Sequence, residues 1–237
     1  MKSTIALSLI LLFSFAGIAQ STSNDIKASN GIKRFRVAAA AGWGYQLGKV
    51  TPGLSDEVTD YTEQLRNGVQ FSGSVDYFIM KNFGLGLEFA GFRATNEANV
   101  MVVDEQLLGI YDQILIRDDI AMDFFGLSAN ARFFLLNDKL SIIPSVSFGQ
   151  ITYRNSASYY DSSKLRGTAP GFIFDLNLDA ALTDKFSFVV GASTQQGVLN
   201  FVDYTDKMGT TTRIALSKDN QKSLSRVGVS CGFSIKF

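Results

Sequence analysis

The chain has 237 residues, a length that suits one domain or at most two small ones. Its 22 basic side chains balance its 22 acidic ones, so no general positive field is present to attract nucleic acid. Histidine is absent and Cys231 is the single cysteine, which excludes histidine-dependent catalysis, the common transition-metal sites and an internal disulfide. Abundant glycine and phenylalanine, with little proline, favour long strands over disorder.

Residues 1–19 are predicted to be a signal peptide. Lys2 supplies a positive charge, and residues 5–18 form an apolar stretch too short to span a bilayer comfortably as a helix. Small residues end this stretch and predict cleavage after Ala19. Residues 20–33 are polar and are expected to form a flexible lead-in. No later stretch is apolar for long enough to form a transmembrane helix.

After residue 33, apolar residues recur at every second position, which is typical of strands with one apolar face. The pattern is clearest from Val227 to Phe237, where the other face consists of glycine, serine and lysine. It predicts eight strands, at residues 34–47, 68–79, 83–95, 119–135, 139–154, 169–182, 186–201 and 222–237. Each is long enough to cross a bilayer at a tilt, which takes about 9–11 residues.

The predicted connections alternate between short and long. The short ones lie at residues 81–82, 137–138 and 183–185. The long, polar ones lie near residues 48–67, 96–118, 155–168 and 202–221. Transmembrane barrels join their strands by short periplasmic turns and longer external loops. The sequence therefore predicts an all-β fold, an eight-stranded antiparallel up-and-down transmembrane β-barrel over residues 34–237.

The apolar face could point inward, as in a soluble barrel, or outward toward lipid. The polar face is rich in Gly, Ser, Asn and Gln, which suits the narrow interior of eight strands better than a solvated surface. Its charges have both signs, as pairing inside a lumen requires. The predicted lumen charge network consists of Arg34, Arg36, Asp76, Glu88, Arg132, Asp175, Asp179 and Lys236.

Aromatic residues near the ends of the apolar faces are expected to mark the two membrane interfaces. The periplasmic set is Tyr77, Phe83, Phe133, Phe186 and Phe237, and the outer set is Trp43, Tyr45, Phe125 and Tyr153. The apolar faces are therefore predicted to contact lipid.

The fifth predicted strand contains Pro144 on its apolar face. Proline removes a donor from the ladder, and the apolar alternation shifts between Phe148 and Ile151. The proline predicts a β-bulge or a local break there, and the shift supports a bulge in this strand.

On these patterns the chain resembles the small OmpA/OmpX-type outer-membrane barrels, in the broad family of outer membrane protein beta-barrel domain and porin-family proteins. Its final strand, ending in Phe233, Ile235 and Phe237, resembles the signal that the outer-membrane assembly machinery recognises. The resemblance implies insertion by that machinery and a location among the lipids of the cell outer membrane. It implies no single activity, because members serve as adhesins, anchors, narrow pores and secretion accessories.

No catalytic, cofactor-binding or metal site is predicted. The acidic cluster Asp56, Glu57, Asp60 and Glu63 matches no calcium-loop spacing and is interpreted as a solvated loop. The lumen carboxylates are interpreted as a charge-neutralising network, because a filled interior admits no substrate. The chain is therefore predicted not to be an enzyme.

The loop at residues 96–118 is the least polar external segment. Either the third and fourth strands continue above the membrane as a hairpin, or an amphipathic helix begins at Asp104. The functional interpretation of this segment is a docking surface for an extracellular or envelope protein partner, or a strand edge available for augmentation.

The leading hypothesis is a structural or interaction barrel that acts through its extracellular loops. One alternative is a small porin-like channel for ions or small solutes, because the polar inner face and its paired charges could form a gate. Another is an accessory component of outer-membrane protein secretion.

Overall fold

The computed structural model describes residues 33–48, 56–104, 110–136, 138–158, 162–217 and 221–237. The predicted signal peptide and almost all of the predicted lead-in lie outside these ranges. So do the tip of the predicted loop at residues 96–118 and parts of the other three long loops.

Alternating sequence produces long strands with short links. In chain order the elements are β1 (Phe35–Gln46), α1 (Asp56–Leu65), β2 (Asn67–Phe78), β3 (Phe83–Asp104), β4 (Ile110–Ala131), β5 (Phe133–Leu135), β6 (Leu140–Ser158), β7 (Ser162–Ala181), β8 (Phe186–Leu199), β9 (Phe201–Thr205), β10 (Thr211–Ala215), β11 (Lys222–Ser223) and β12 (Arg226–Lys236). Sequential long strands pair antiparallel, and β12 pairs with β1, which closes a ring of eight. The predicted fold class is confirmed.

The strands are strongly staggered around the ring. Following register partners from Phe35 through every strand leads back to β1 at Tyr45, ten residues further along. Such a stagger tilts the strands and closes the barrel without a free edge in its lower part. The path passes through Tyr77, Leu85, Ala129, Val146, Phe174, Thr194 and Val227.

A belt of apolar side chains surrounds the barrel. Leu127 is 70% exposed and Phe233 is 59% exposed. A continuous apolar surface of this extent would not be stable in water. Cys231 lies on the same outward face. The predicted orientation is confirmed, because the apolar faces point outward and the small and polar faces fill the interior. We call this surface the lipid-facing belt.

Four adjacent strands continue beyond the lipid-facing belt. The strands β3, β4, β6 and β7 have 22, 22, 19 and 20 residues, whereas β1, β2, β8 and β12 have 12, 12, 14 and 11. We call residues 93–104, 110–123, 150–158 and 162–170 the outer wall. It is extended by β9, which pairs with β7, and by β10, which pairs with β9.

On the outer wall, the inward positions are apolar and the outward positions are polar, which is the reverse of the lipid-facing belt. On β6, Ile151 and Tyr153 are fully buried inside, whereas Arg154 is exposed outside. The inward side chains of the wall join those just below it in an apolar core. Its members come mainly from α1, β3, β4, β6, β7, β8 and β9, including Ala90, Phe92, Ala94, Ile116, Ile120, Met122, Phe124, Ile151, Tyr153, Ala169, Ile173, Leu199, Val202 and Leu224. The outer wall is therefore built like a soluble sheet, with its apolar side inside and its polar side in water.

Helix α1, which lies between β1 and β2 in the chain, covers part of this core. Tyr61 and Leu65 are buried in the core, and Val58 packs against it. The prediction of an acidic loop for this segment is wrong. The spacing of Val58, Tyr61 and Leu65 matches one face of a helix and could have revealed it. Within the ranges the structure describes, no helix is long and apolar enough to cross a bilayer.

The strand that contains Pro144 has no bulge, because the pairing of β6 with β7 runs without interruption from Leu140 to Ser158. The local break is confirmed on the other side of β6, where pairing with β4 ends at Ser145 and pairing with β5 resumes at Ile142. The neighbouring strand is interrupted at Arg132, between β4 and β5. This interruption lies next to Pro144, which has no backbone N–H to donate to the ladder.

The loop predicted at residues 96–118 consists largely of strand. Residues 96–104 and 110–118 are paired with each other as the upper parts of β3 and β4. The hairpin interpretation therefore holds, and the amphipathic helix is excluded for these residues.

Candidate functional site

The periplasmic half of the lumen is filled by a buried ion cluster centred on Arg36. Its guanidinium donates to Asp179 at 2.9 and 3.0 Å and to Asp76 at 2.8 Å. The Lys236 ammonium lies 3.1 Å from Asp179, and Ser234 donates to the same carboxylate at 2.9 Å. These groups come from β1, β2, β7 and β12, so the cluster ties together strands from opposite sides of the ring.

Arg132 forms the floor of the lumen. It is buried and stacks over the Phe78 ring, with its guanidinium carbon 3.8 Å from the ring centroid. Its nitrogens donate to the carbonyl oxygens of Lys81 and Lys33 at 3.1 to 3.4 Å. Arg132 therefore seals the periplasmic end by cation–π and main-chain contacts, not by an ion pair within the described ranges.

The middle of the lumen contains a polar cavity of about 40 Å³. Glu88 accepts a hydrogen bond from Ser147, and Asp175 accepts one from Ser145 at 3.3 Å. Arg226 lines the same cavity and donates to Gln70 at 2.7 Å and to Gln195 at 3.0 Å. A cavity of this volume holds one or a few water molecules and does not provide a continuous pore.

Close packing of small residues narrows the lumen further. A Cβ atom added at Gly86 would lie 2.5 Å from a carboxylate oxygen of Asp76 and 2.6 Å from the Val75 carbonyl oxygen. A Cβ atom at Gly228 would lie 2.2 Å from the Gln70 side chain. The inward glycines thus make room for the charged network, as a narrow eight-stranded interior requires.

Above the cavity, the apolar core closes the outer end and encloses one buried carboxylate. Asp118 accepts hydrogen bonds from the Tyr61 hydroxyl and the Asn155 amide, both at 2.8 Å. These contacts join α1, β4 and β6 within the outer wall. Nearby, the Lys222 ammonium donates to the Tyr153 hydroxyl and lies 4.4 Å from the ring centroid. Burial lowers the pKa of Lys222 to about 8, and the negative charge of Asp118 opposes that shift.

One residue of the predicted lumen network lies outside the lumen, and one lumen residue was not predicted. Arg34 is exposed before the first strand and lies 3.5 Å from the Tyr77 hydroxyl, so it is not a lumen residue. Arg226 is buried in the lumen and was missed, although extending the alternation of the last strand by one step places it inward. The other seven predicted residues are inside. Below the apolar core, the described lumen residues then include four basic groups, at positions 36, 132, 226 and 236, and four acidic groups, at positions 76, 88, 175 and 179.

Other predicted residues lie as follows. Phe233 and Phe237 are exposed on the lipid-facing belt and Ile235 is half-exposed, and their role as an assembly signal stays a prediction. The predicted periplasmic aromatic set and Trp43 and Phe125 of the outer set lie outward. Tyr153 was placed in the outer set and is instead fully buried, because it lies on the outer wall, where inward positions are apolar.

The acidic cluster predicted in the first loop lies on α1. Glu63 accepts a hydrogen bond from Tyr45 at 3.2 Å and pairs with Arg66 at 2.6 Å, so it has a structural role. The side chains of Asp56 and Glu57 lie outside the described residues. Across the part of the chain that the structure describes, no three potential metal-ligating side chains come together.

Comparisons with known proteins identify the fold and no specific family. The chain matches a major outer membrane protein from Thermus thermophilus with a TM-score of 0.52 at 11% identity, covering 86% of this chain and 98% of that one. It matches the outer membrane protein OprG from Pseudomonas aeruginosa with a TM-score of 0.50 at 12% identity, covering 87% and 98%. Neisserial surface protein A aligns with a TM-score of 0.44 at 14% identity, covering 86% and 97%.

No family model matches the sequence, and no curated protein matches it. The fold is that of outer-membrane β-barrels of the OmpA/OmpX type, and the predicted outer-membrane location agrees with it.

Proposed function

We propose that the protein is an outer-membrane barrel that serves as a recognition platform, with the outer wall as its partner-binding surface. The observation that carries this proposal is the length of β3 and β4, which have 22 residues each where about 9–11 suffice to cross the membrane. The extra residues form a paired sheet with its own apolar core, which fixes the hairpin up to Ala98 and Ile116 above the membrane.

The contacts of the outer wall support a rigid platform. Tyr61 and Asn96 exchange hydrogen bonds at 3.3 and 3.0 Å, which ties α1 to the base of the hairpin. Asp118 links β4 to α1 and, through Asn155, to β6. A docking segment held in this way loses little conformational entropy when it binds a partner.

The porin-like alternative receives less support. The ion cluster at Arg36, the floor at Arg132 and the apolar core lie in series along the lumen. We therefore expect no stepwise conductance in planar bilayers. Discrete channel openings at low protein load would favour the channel hypothesis over the platform.

A trimmed variant tests the platform. Residues 99–115 are replaced by Asn-Gly, which joins the register partners Ala98 and Ile116 by a two-residue hairpin turn. The core contacts of Ile116 and Asp118 are retained, so insertion and the heat-modifiable gel shift of the folded barrel should be unchanged. The control carries the same Asn-Gly turn between Ala157 and Ser163, at the tip of the β6–β7 hairpin.

The readout is photo-crosslinking in intact cells from a residue placed at the exposed position Glu97. We expect a discrete protein adduct in the untrimmed chain and in the control, and its loss in the trimmed variant. The same adduct in all three chains, or adducts with lipid alone, would contradict a recognition role for this hairpin.

A further inference from the structure

A row of arginines crosses the outward face of the outer wall. Arg93 on β3, Arg154 on β6, Arg166 on β7 and Arg213 on β10 lie in one continuous line of register partners, interrupted only by Ala121 and Asp203. Arg154, Arg166 and Arg213 are exposed, and Arg93 is partly exposed.

Two of these arginines are directly opposite each other. Arg154 and Arg166 are register partners on β6 and β7, an arrangement in which like charges destabilise a sheet. Arg154 pairs with Asp123, but Arg93 contacts the same carboxylate at 2.6 Å, so two guanidinium groups share one acid. Among the described residues, neither Arg166 nor Lys164 forms an ion pair within 4.0 Å.

The positive excess is local. Further up the same wall, Arg117 lies 3.4 Å from Asp119 and 3.8 Å from Glu97, so its charge is compensated within the chain. The short strands on the other side of the barrel carry no arginine or lysine on the outward face at this level in the described ranges. Asp203, the register partner of Arg166 on β9, is one carboxylate beside Arg154, Arg166 and Lys164. This surface therefore keeps a net positive charge that an anion from outside the protein can balance.

The position of this surface indicates which anion it meets. Phe148 and Phe172 pack against each other in the lipid-facing belt, with centroids 5.0 Å apart, on the same two strands as Arg154 and Arg166. The arginines lie six residues further along each strand, which is about 15 Å in height for tilted strands. Arginine side chains can bend back toward the membrane, so the guanidinium groups reach its headgroup layer.

We infer that Arg154, Arg166 and Lys164 bind a phosphate group of a glycolipid in the outer leaflet of the membrane. The guanidinium fork matches phosphate oxygens in a bidentate way, and an anion between Arg154 and Arg166 removes their mutual repulsion. Sugar-borne phosphates extend above the hydrocarbon boundary, as the height of the arginines requires. This inference depends on the membrane placement of the barrel and is independent of recognition by the β3–β4 hairpin.

The test compares lipid binding by charge-matched variants of the purified, folded barrel. Binding of bisphosphorylated lipid A, and of the same lipid with both phosphates removed, is titrated by native mass spectrometry from detergent micelles. The variants are Arg166→Gln, the double variant Arg154→Gln/Arg166→Gln, and the control Arg117→Gln. The control removes the same charge from the same wall, where two carboxylates compensate it.

We expect the double variant to bind lipid A about tenfold or more weakly, with Arg166→Gln between it and the wild type. Arg117→Gln should stay within about twofold of the wild type, and the dephosphorylated lipid should bind the wild type no better than lipid A binds the double variant. Equal losses in Arg117→Gln and Arg166→Gln would overturn the inference, and so would undiminished binding by the double variant. Inositol hexakisphosphate binding as tightly as lipid A in the absence of lipid would also overturn it, because the surface would then select free anions.

Discussion

The lipid-facing belt and the outer wall are made from the same strands and obey opposite rules. Neighbouring phenylalanines on β4 show the contrast: Phe124 is 1% exposed, inside the apolar core, and Phe125 is 60% exposed, toward lipid. In the belt, apolar side chains face out and a charged network fills the interior. In the wall, apolar side chains face in and charges face out. The difference shows that the surrounding solvent, and not the strand itself, decides which face is apolar.

The largest effect is expected from removing the cation that organises the belt interior. Arg36→Met leaves Asp76 and Asp179 buried without their guanidinium partner, which should destabilise the barrel by about 3–5 kcal/mol. Urea unfolding in detergent or lipid bilayers, followed by the gel shift of the folded form, measures the change. Lys236→Gln removes a more peripheral partner of Asp179 and should have a clearly smaller effect. Equal effects would show that Arg36 is not the centre of the cluster.

The two phenylalanines provide the next test. Phe124→Ala opens a cavity in the apolar core and should destabilise the folded state by about 3–5 kcal/mol. Phe125→Ala leaves a space that lipid chains can fill, so its effect should be much smaller. The free energies of unfolding of both variants, measured in the same lipid bilayer, test this difference. A larger loss for Phe125→Ala would mean that the assignment of faces on β4 is reversed.

A charge placed on the outward face distinguishes the two regions directly. Leu127→Arg puts a guanidinium near the middle of the lipid-facing belt and should cost about 2–4 kcal/mol. Ser156→Arg puts the same group on the outward face of the outer wall, where it is hydrated and should cost almost nothing. Comparable losses at both positions would place residue 156 within the membrane and shorten the wall.

The smallest effect concerns pH and the Lys222 ammonium, which contacts Tyr153 on the outer wall. Because burial lowers the pKa of Lys222 to about 8, the unfolded chain holds this proton more tightly than the folded one. Stability should therefore rise as the pH increases from about 8 to about 10, and Lys222→Met should reduce this rise. Unfolding midpoints at several pH values for both chains measure the slope. A slope that is identical in the variant would show that Lys222 does not titrate in this range.

Alternation alone predicts the lipid-facing belt correctly, because one apolar face persists there on every strand. It places Arg36, Asp76 and Asp179 inside, although their mutual distances depend on a stagger that no single strand reveals. The length of the strands in the outer wall was underestimated from the sequence. Their pattern still has period two, but the apolar positions change from the outward to the inward face. At Ile151 and Tyr153 this change of sides resembles a bulge, and only the pairing with β7 shows that the strand is regular.

Helix α1 and Arg226 were missed for different reasons. The helix has three apolar residues at helical spacing, but its acidic composition suggested a solvated loop. Arg226 lies one step before the clearest alternating segment and continues its inward face. Asp118 could not be recognised from the sequence, because its partners Tyr61 and Asn155 come from elements distant along the chain.

The reversal of the two faces can be measured along the outward side of β6. Spin labels are placed singly at Ile142, Val146, Phe148, Thr152, Arg154 and Ser156 in a chain with Cys231→Ala, reconstituted in bilayers, and their accessibility to oxygen and to a water-soluble nickel complex is compared. We predict lipid-like accessibility up to Phe148 and water-like accessibility from Thr152 onward. A water-like signal along the whole strand, or a lipid-like signal at Ser156, would contradict the division of this barrel into a belt and a wall.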